Sequence, residues 1–96
     1  MYSTGEILAI LKNKKKELEN KYPISELALF GSYARGDNNE QSDIDILVDF
    51  NGRIGIEFIE LAHELEDTFR TKIDLVSRKG IQTKYLPFVE KSLIRV

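Results

Sequence analysis

The stretch that decides the fold is Phe-Gly-Ser-Tyr-Ala-Arg-Gly-Asp-Asn-Asn-Glu-Gln-Ser-Asp-Ile-Asp-Ile-Leu-Val-Asp-Phe, residues 30–50. An apolar run from Leu27 to Phe30 stops at Gly31-Ser32, and a second apolar run extends from Ile44 to Phe50. Short apolar runs bounded by glycine and polar residues are typical of buried strands. The stretch therefore predicts two strands joined by a turn and a polar loop.

Two acidic residues, Asp43 and Asp45, stand at the entrance of the second run. Residues two apart on a strand point to the same side, so we expect their carboxylates to converge while Ile44, Ile46 and Val48 face the other way. Two adjacent carboxylates repel each other unless a cation joins them. Hard oxygen ligands suit Mg²⁺, which proteins usually bind through one or two carboxylates and substrate phosphates. The pair therefore predicts a magnesium site.

The turn between the two runs has the residues of a phosphate-binding loop. Gly31 lets the backbone bend sharply and approach a ligand closely, and backbone N–H groups in such a turn attract anions. The hydroxyl of Ser32 adds a donor, and the guanidinium of Arg35 matches phosphate in geometry. An ion pair of Arg35 with Asp37 or Asp43 that shapes the loop is an equally open role. A phosphate cradle beside a carboxylate pair is the minimum apparatus for handling a nucleoside triphosphate.

The remaining elements follow from the spacing of apolar residues and from turn signals. Ser3 or Thr4 caps the first helix. The predicted elements are, in order, that helix to about Asn20, a strand at Ile24–Phe30, a short helix from Ser32, a strand at Asp43–Phe50, a helix at 55–70, a strand at Lys72–Ser77, a helix at Tyr85–Ser92 and a terminal strand or extended tail at Leu93–Val96. The direction of the strands stays open, because the link of residues 31–42 is long enough for either orientation.

A third acid, Asp74, lies in the middle of the predicted strand Lys72–Ser77. A charge in a short apolar strand is costly to bury without a partner, so Asp74 is either a surface residue of an edge strand or a third carboxylate directed at the metal site. The carboxylate pair upstream favours the second interpretation. The single histidine, His63, has no second metal-type ligand one helical turn away, so we assign it no role. The basic run at residues 12–16 is interpreted as a solvated helix face.

The totals limit the class of protein. With 96 residues, the chain is expected to form a single domain, residues 1–96. A net charge of −2 argues against a direct nucleic-acid partner. The absence of cysteine excludes disulfides and thiolate metal sites and favours the reducing cytoplasm. No apolar run approaches the length of a membrane span, so we expect no membrane partner.

The spacing of these motifs resembles a known signature. The chain has Gly31 and a serine, then ten residues, then an Asp-x-Asp that ends at Asp45. This spacing is similar to the G-S-x10-D-x-D pattern of the DNA polymerase β-like nucleotidyltransferase superfamily. The fuller strings GSYARG at 31–36 and SDIDILV at 42–48 resemble its minimal nucleotidyltransferase (MNT) branch. The motif is specific because it defines two residue pairs and their separation. The resemblance extends from about residue 27 to the end of the chain.

The resemblance implies a fold and a set of site residues. The fold is α/β (α+β), a small mixed β-sheet with helices packed on one face, and we expect the acids on an open second face. ATP is the implied substrate and Mg²⁺, two ions, the implied cofactor. The implied catalytic and metal-binding residues are Asp43, Asp45 and Asp74. The implied nucleotide-binding residues are Gly31, Ser32 and Arg35.

The resemblance also implies a partner. MNT proteins pair with HEPN-domain RNase toxins and act as antitoxins that transfer AMP to a tyrosine of the toxin, which implies the same role and a HEPN partner here. Two alternatives stay open. One is an antitoxin that neutralises its partner by binding only; the other is a nucleotidyltransferase for small molecules, although that class usually carries a helical substrate domain for which this chain has no room.

Overall fold

The computed structural model describes residues 2–96 and contains a four-stranded sheet of strand order β3-β2-β1-β4. The helices are α1 (Thr4–Lys21), α2 (Gly31–Arg35), α3 (Glu57–Phe69) and α4 (Leu86–Lys91), and the strands are β1 (Ile24–Phe30), β2 (Ile44–Phe50), β3 (Ile73–Ser77) and β4 (Ile94–Arg95). The predicted elements are confirmed, each with its ends within about two residues. Strand β1 is antiparallel to β2 and β4, whereas β2 and β3 are parallel, so the sheet is mixed as predicted.

Helix α1 begins with a capping box. The Oγ atom of Ser3 accepts a hydrogen bond from the backbone N–H of Glu6, and the Glu6 carboxylate accepts one from the N–H of Ser3 at 2.8 Å. This reciprocal arrangement satisfies two N–H groups that the helix itself cannot bond. Ser3, rather than Thr4, is therefore the cap; the Thr4 hydroxyl instead donates to the backbone carbonyl of Tyr33 in α2.

The core lies between the two long helices and one face of the sheet. Its fully buried members recur at helical spacing on the helices and at every second position on the strands. They include Ile7, Leu11 and Leu18 of α1, Leu27 and Leu29 of β1, Ile44, Ile46 and Val48 of β2, and Leu61, Leu65 and Phe69 of α3. Helices α1 and α3 thus pack on one face of the sheet, as predicted. Strand alternation turns Asp45 and Asp74 to the second face.

The second face of the sheet is partly covered. The prediction that this face would be open is therefore wrong for the covered part. Ala28 and Leu47 alternate onto this face and are nevertheless fully buried. The guanidinium of Arg78 joins the Glu26 carboxylate of β1, at 2.7 and 3.1 Å, to the Glu90 carboxylate of α4, at 2.7 Å. These ion pairs therefore hold the C-terminal segment over part of this face. The two apolar side chains that point to this face require such a cover to be buried.

No helix within residues 2–96 is long and apolar enough to cross a membrane.

Candidate active site

The candidate site is a row of residues across three neighbouring strands. Asp45 of β2 has Phe30, the last residue of β1, as its register partner on one side and Asp74 of β3 on the other. Adjacent strands lie about 4.8 Å apart, so the register pairing sets the Asp45 and Asp74 carboxyls side by side. The structure therefore brings the second and third predicted acids together, although they are far apart in sequence.

This pairing perturbs the acidity of Asp45. Partial burial raises the pKa of Asp45 to about 6, and the charge and hydrogen bond of Asp74 and the charge of Asp43 add to the rise. The positive charge of Arg35, in contrast, lowers the pKa of Asp45. Carboxylates held this close either share a proton or require a cation. The site is thus electrostatically prepared for a positive ligand.

Gly31 is required here for two independent reasons. Its φ of +73° lies in the left-handed region, which L side chains rarely adopt. A Cβ atom at this position would also overlap the carboxylate of Asp45 and lie 2.9 Å from its Cγ. The backbone of the turn between β1 and α2 therefore lies directly against Asp45, an approach that no larger residue allows.

Helix α2 presents polar groups beside this contact. No side chain caps its N-terminus, and the hydroxyl of Ser32 makes no hydrogen bond within residues 2–96. The ring of Tyr33 is buried in the core and anchors the short helix. The backbone and hydroxyl donors of this turn can therefore receive an anion next to the Asp45 carboxylate.

Arg35 takes part in the loop-shaping ion pair that the sequence left open. Its Nε donates to Oδ2 of Asp37 at 3.1 Å, and the two side chains are 53% and 62% exposed. Ion pairs between solvated groups of this kind contribute little. The guanidinium can therefore exchange Asp37 for a phosphate at small cost.

Asp43 lies immediately before β2 and beside a lysine. Its Oδ2 lies 3.6 Å from Nζ of Lys72. Within residues 2–96, no three Asp, Glu or His side chains are arranged so that they could together hold a metal ion. The charges of Asp74 and Asp43 nevertheless both act on Asp45.

Lys72 is the residue of this region that the sequence reasoning missed. The parallel register pairs Ile44 with Ile73, so the residues just before the two strands, Asp43 and Lys72, face each other. The signal was present in the chain, since Lys72 immediately precedes the strand that carries Asp74. Reading it required the strand direction, which the sequence left open.

The carboxylate pair fits a divalent cation. Asp45 and Asp74 supply adjacent oxygen ligands, and a bound cation would offset both the burial and the neighbouring negative charges that raise the pKa of Asp45. Two carboxylates complete a Mg²⁺-type site when substrate phosphates supply further ligands. His63 is exposed on the surface of α3.

Sequence comparison finds close similarity to one family of enzymes. A family model described as a nucleotidyltransferase domain matches residues 11–96. A protein of Methanocaldococcus jannaschii is 43% identical over 94 residues, which cover 97% of this chain and 93% of that protein. The protein adenylyltransferase MntA of Thermococcus cleftensis is 37% identical over 97 residues, which cover 100% of this chain and 98% of MntA.

Structural comparison agrees. A chain of a toxin–antitoxin crystal structure with AMP-PNP is similar to the present fold with a TM-score of 0.72 and 29% sequence identity, over 88% of this chain and 70% of that one. A chain of the complex between an MNT antitoxin and the tri-AMPylated HEPN toxin of Shewanella oneidensis has a TM-score of 0.66 and 27% identity, over 91% of this chain and 69% of that one.

Proposed function

The chain belongs to the nucleotidyltransferase domain family, among the protein adenylyltransferases, and we propose that it transfers AMP from ATP to a tyrosine hydroxyl of a partner HEPN toxin and so acts as its antitoxin. The family predicted from the glycine-serine and Asp-x-Asp motifs is confirmed by the match over residues 11–96. We expect the reaction to take place in the cytoplasm.

One observation carries the proposal: the Asp45–Asp74 pair lies against the Gly31 turn. The pair is suited to a cation, and the turn to phosphate. Their direct contact, in which a Cβ at position 31 would overlap the Asp45 carboxylate, lets one nucleotide reach both features at once. A chain that only bound a partner would not need a glycine of positive φ directly against the carboxylate of Asp45, on which Asp74 acts by its charge.

Each residue of the site has a separate role in the proposed transfer. The tyrosine oxygen forms a bond to the α-phosphorus of ATP, the bond from that phosphorus to the pyrophosphate oxygen breaks, and the hydroxyl proton passes to a carboxylate. Asp74 is the exposed member of the pair and is therefore the one that an incoming hydroxyl can reach. Asp45, which is partly buried, holds its position between two strands. Gly31 and Ser32 hold the distal phosphates.

The proposal includes two Mg²⁺ ions, which Asp43, Asp45 and Asp74 would hold. When bound, the cations would neutralise charge on the phosphates and lower the pKa of the attacking hydroxyl. The protein itself keeps the carboxyls of Asp45 and Asp74 adjacent. This arrangement costs folding free energy because like charges repel.

The identity of the acceptor is supported by the relatives. A structural neighbour is a complex in which an MNT antitoxin accompanies an AMPylated HEPN toxin, and another contains AMP-PNP. The present chain has a weak net charge of −2, which does not favour a nucleic-acid acceptor.

The test is transfer in the presence of a HEPN partner. The protein, ATP and Mg²⁺ are incubated with a HEPN-domain protein from the same organism, and the mass of that protein is followed by mass spectrometry. We expect an added AMP on a tyrosine with the wild type and none with Asp45→Asn, while Asp67→Asn, a change on the exposed surface of α3, behaves as the wild type. Unmodified partner in all three reactions would reject the proposed transfer.

A binding-only antitoxin is the second candidate. One observation favours it: within residues 2–96 no three acidic or histidine side chains form a ready metal site, and Asp43 is paired with Lys72. If Asp45→Asn neutralises the toxin as well as the wild type does in co-expression, catalysis is dispensable and this candidate replaces the first.

A further inference from the structure

We propose that the nucleoside part of the substrate binds in a cleft beside α2 and that its base stacks on the ring of Phe88. The inference rests on the proposed function, since it concerns the nucleotide of the same reaction. The cleft has a volume of about 570 Å³, within the usual range of small-molecule sites. Its walls include Arg35, Phe88, Lys91, Leu93 and Ile94.

The cleft and the phosphate-binding turn lie at the two ends of helix α2. Arg35, which lines it, is the last residue of the five-residue helix that begins at Gly31. The charge of Arg35 also acts on Asp45. Ile94 of β4 pairs with Leu29 of β1 on the side away from β2. Helix α2 has five residues and is about 7 Å long, so one nucleotide can span the turn and the cleft.

The lining suits an aromatic anion. The ring of Phe88 is 68% exposed, although exposure of so large an apolar side chain is unfavourable in water. Nucleobases stack on such rings irrespective of their identity. Leu93 and Ile94 add apolar surface, and the charged residues of the lining, Arg35 and Lys91, are both cations. The Nζ atom of Lys91 lies 5.7 Å from the centre of the Phe88 ring.

Two other clefts fit a nucleotide less well. A cleft of about 670 Å³ between α1 and α3 is lined by Glu6, Glu40 and Arg70, so its charged side chains carry a net negative charge that disfavours phosphate. A cleft of about 510 Å³, which is lined by Arg53 and Lys79 as well as Asp49, lies at the opposite end of β2 from Asp45, about 13 Å along the strand. Neither contains a residue of the phosphate-binding helix apart from Tyr33, whose ring is buried.

The test measures the contribution of the base to nucleotide binding separately from that of the phosphates. Binding of ATP and of inorganic tripolyphosphate, each with Mg²⁺, is measured by calorimetry for wild type, Phe88→Ala and Ile56→Ala; Ile56 is a matched control because it is 69% exposed and lies outside the cleft. We expect Phe88→Ala to weaken ATP binding about tenfold, the order of loss when a base loses one aromatic stacking partner. Tripolyphosphate binding should be unchanged in Phe88→Ala, and Ile56→Ala should bind both ligands as the wild type does.

A second variant provides a direct signal. The chain contains no tryptophan, so Phe88→Trp introduces a single fluorescent reporter into the cleft. ATP should quench its emission by stacking, whereas tripolyphosphate should not. Equal responses to the two ligands would overturn the stacking.

The outcomes distinguish this inference from the proposed function. If Phe88→Ala binds ATP as tightly as the wild type while Ser32→Ala binds it more weakly, the base site is wrong and the proposed function stands. If the wild type binds neither ligand, both fail. If Phe88→Ala weakens binding of the HEPN partner but not of ATP, the ring belongs to a docking surface and the inference is overturned.

Discussion

Replacing Asp45 by asparagine should stabilise the metal-free protein while it abolishes AMP transfer. Asparagine has nearly the shape of aspartate and can still hydrogen-bond to the Asp74 carboxylate, so the packing of β2 and β3 is preserved. The change removes one of two carboxylates that repel each other. Function and stability are thus expected to move in opposite directions at one residue.

The size of the gain follows from the pKa of Asp45. A rise from 3.8 to about 6 corresponds to about 3 kcal/mol of unfavourable free energy for the charged form. Because Asp45 is only partly buried, solvent screening reduces this to about 1–2 kcal/mol. In a domain of this size, such a gain raises Tm by about 5–10 °C.

The pH dependence has a definite sign. The folded state holds the Asp45 proton more tightly than the unfolded state, so the wild type loses this part of its stability as pH rises from about 4 through 6. Asparagine does not titrate. The stability difference between the variant and the wild type should therefore be near zero at pH 4, grow through pH 6 and stay constant above it.

Thermal unfolding in EDTA between pH 4 and 8 measures this difference, with Asp67→Asn as the control for loss of a surface charge. Adding Mg²⁺ at pH 7.5 should then stabilise the wild type more than Asp45→Asn. If Asp45→Asn is less stable than the wild type at pH 7.5, or if the difference does not change with pH, the electrostatic account of the site is wrong.

Three further changes test other contacts. Gly31→Ala should abolish transfer and cost more stability in urea unfolding than Gly36→Ala, because both positions have positive φ but only an alanine Cβ at 31 would meet the Asp45 carboxylate; equal costs would contradict the close approach. Glu26→Gln should destabilise the fold by about 2 kcal/mol, since the Glu26 side chain is only 16% exposed and binds two arginines. Hydrogen bonds from these arginines lower the pKa of Glu26. The stability that Glu26 contributes is therefore present above about pH 4.5 and should be lost on acidification. His63→Ala should leave the rate of AMP transfer unchanged, and a loss of activity in a folded variant would mean that its exposed imidazole has a role.

Local signals in the chain determined the elements and most of the candidate site. The alternation of residues 44–50 predicted a strand with one buried face, and Ser3 with Glu6 three residues later formed the capping box of the first helix. Gly31 was identified because only glycine readily adopts the backbone of that turn. Each of these signals depends on neighbours within a few residues, which is why the sequence alone contained them.

The cover of the second face depended on residues far apart in the chain. The sequence analysis expected this face to be open, yet Arg78 joins Glu26 to Glu90 across it. The outward apolar residues Ala28 and Leu47 hinted at this cover. Which segment would supply it depended on where the C-terminal residues pack, and no periodicity in the chain expresses that.

The relation between the acids was also decided by the tertiary structure. Parallel pairing of β2 and β3 sets Asp74 beside Asp45 and leaves Asp43 opposite Lys72. An antiparallel pairing would have changed both neighbours while keeping every strand where it is in the sequence. The composition of the site was thus readable from the chain, but its geometry was not, because strand direction is determined by the packing of whole elements rather than by any residue within them.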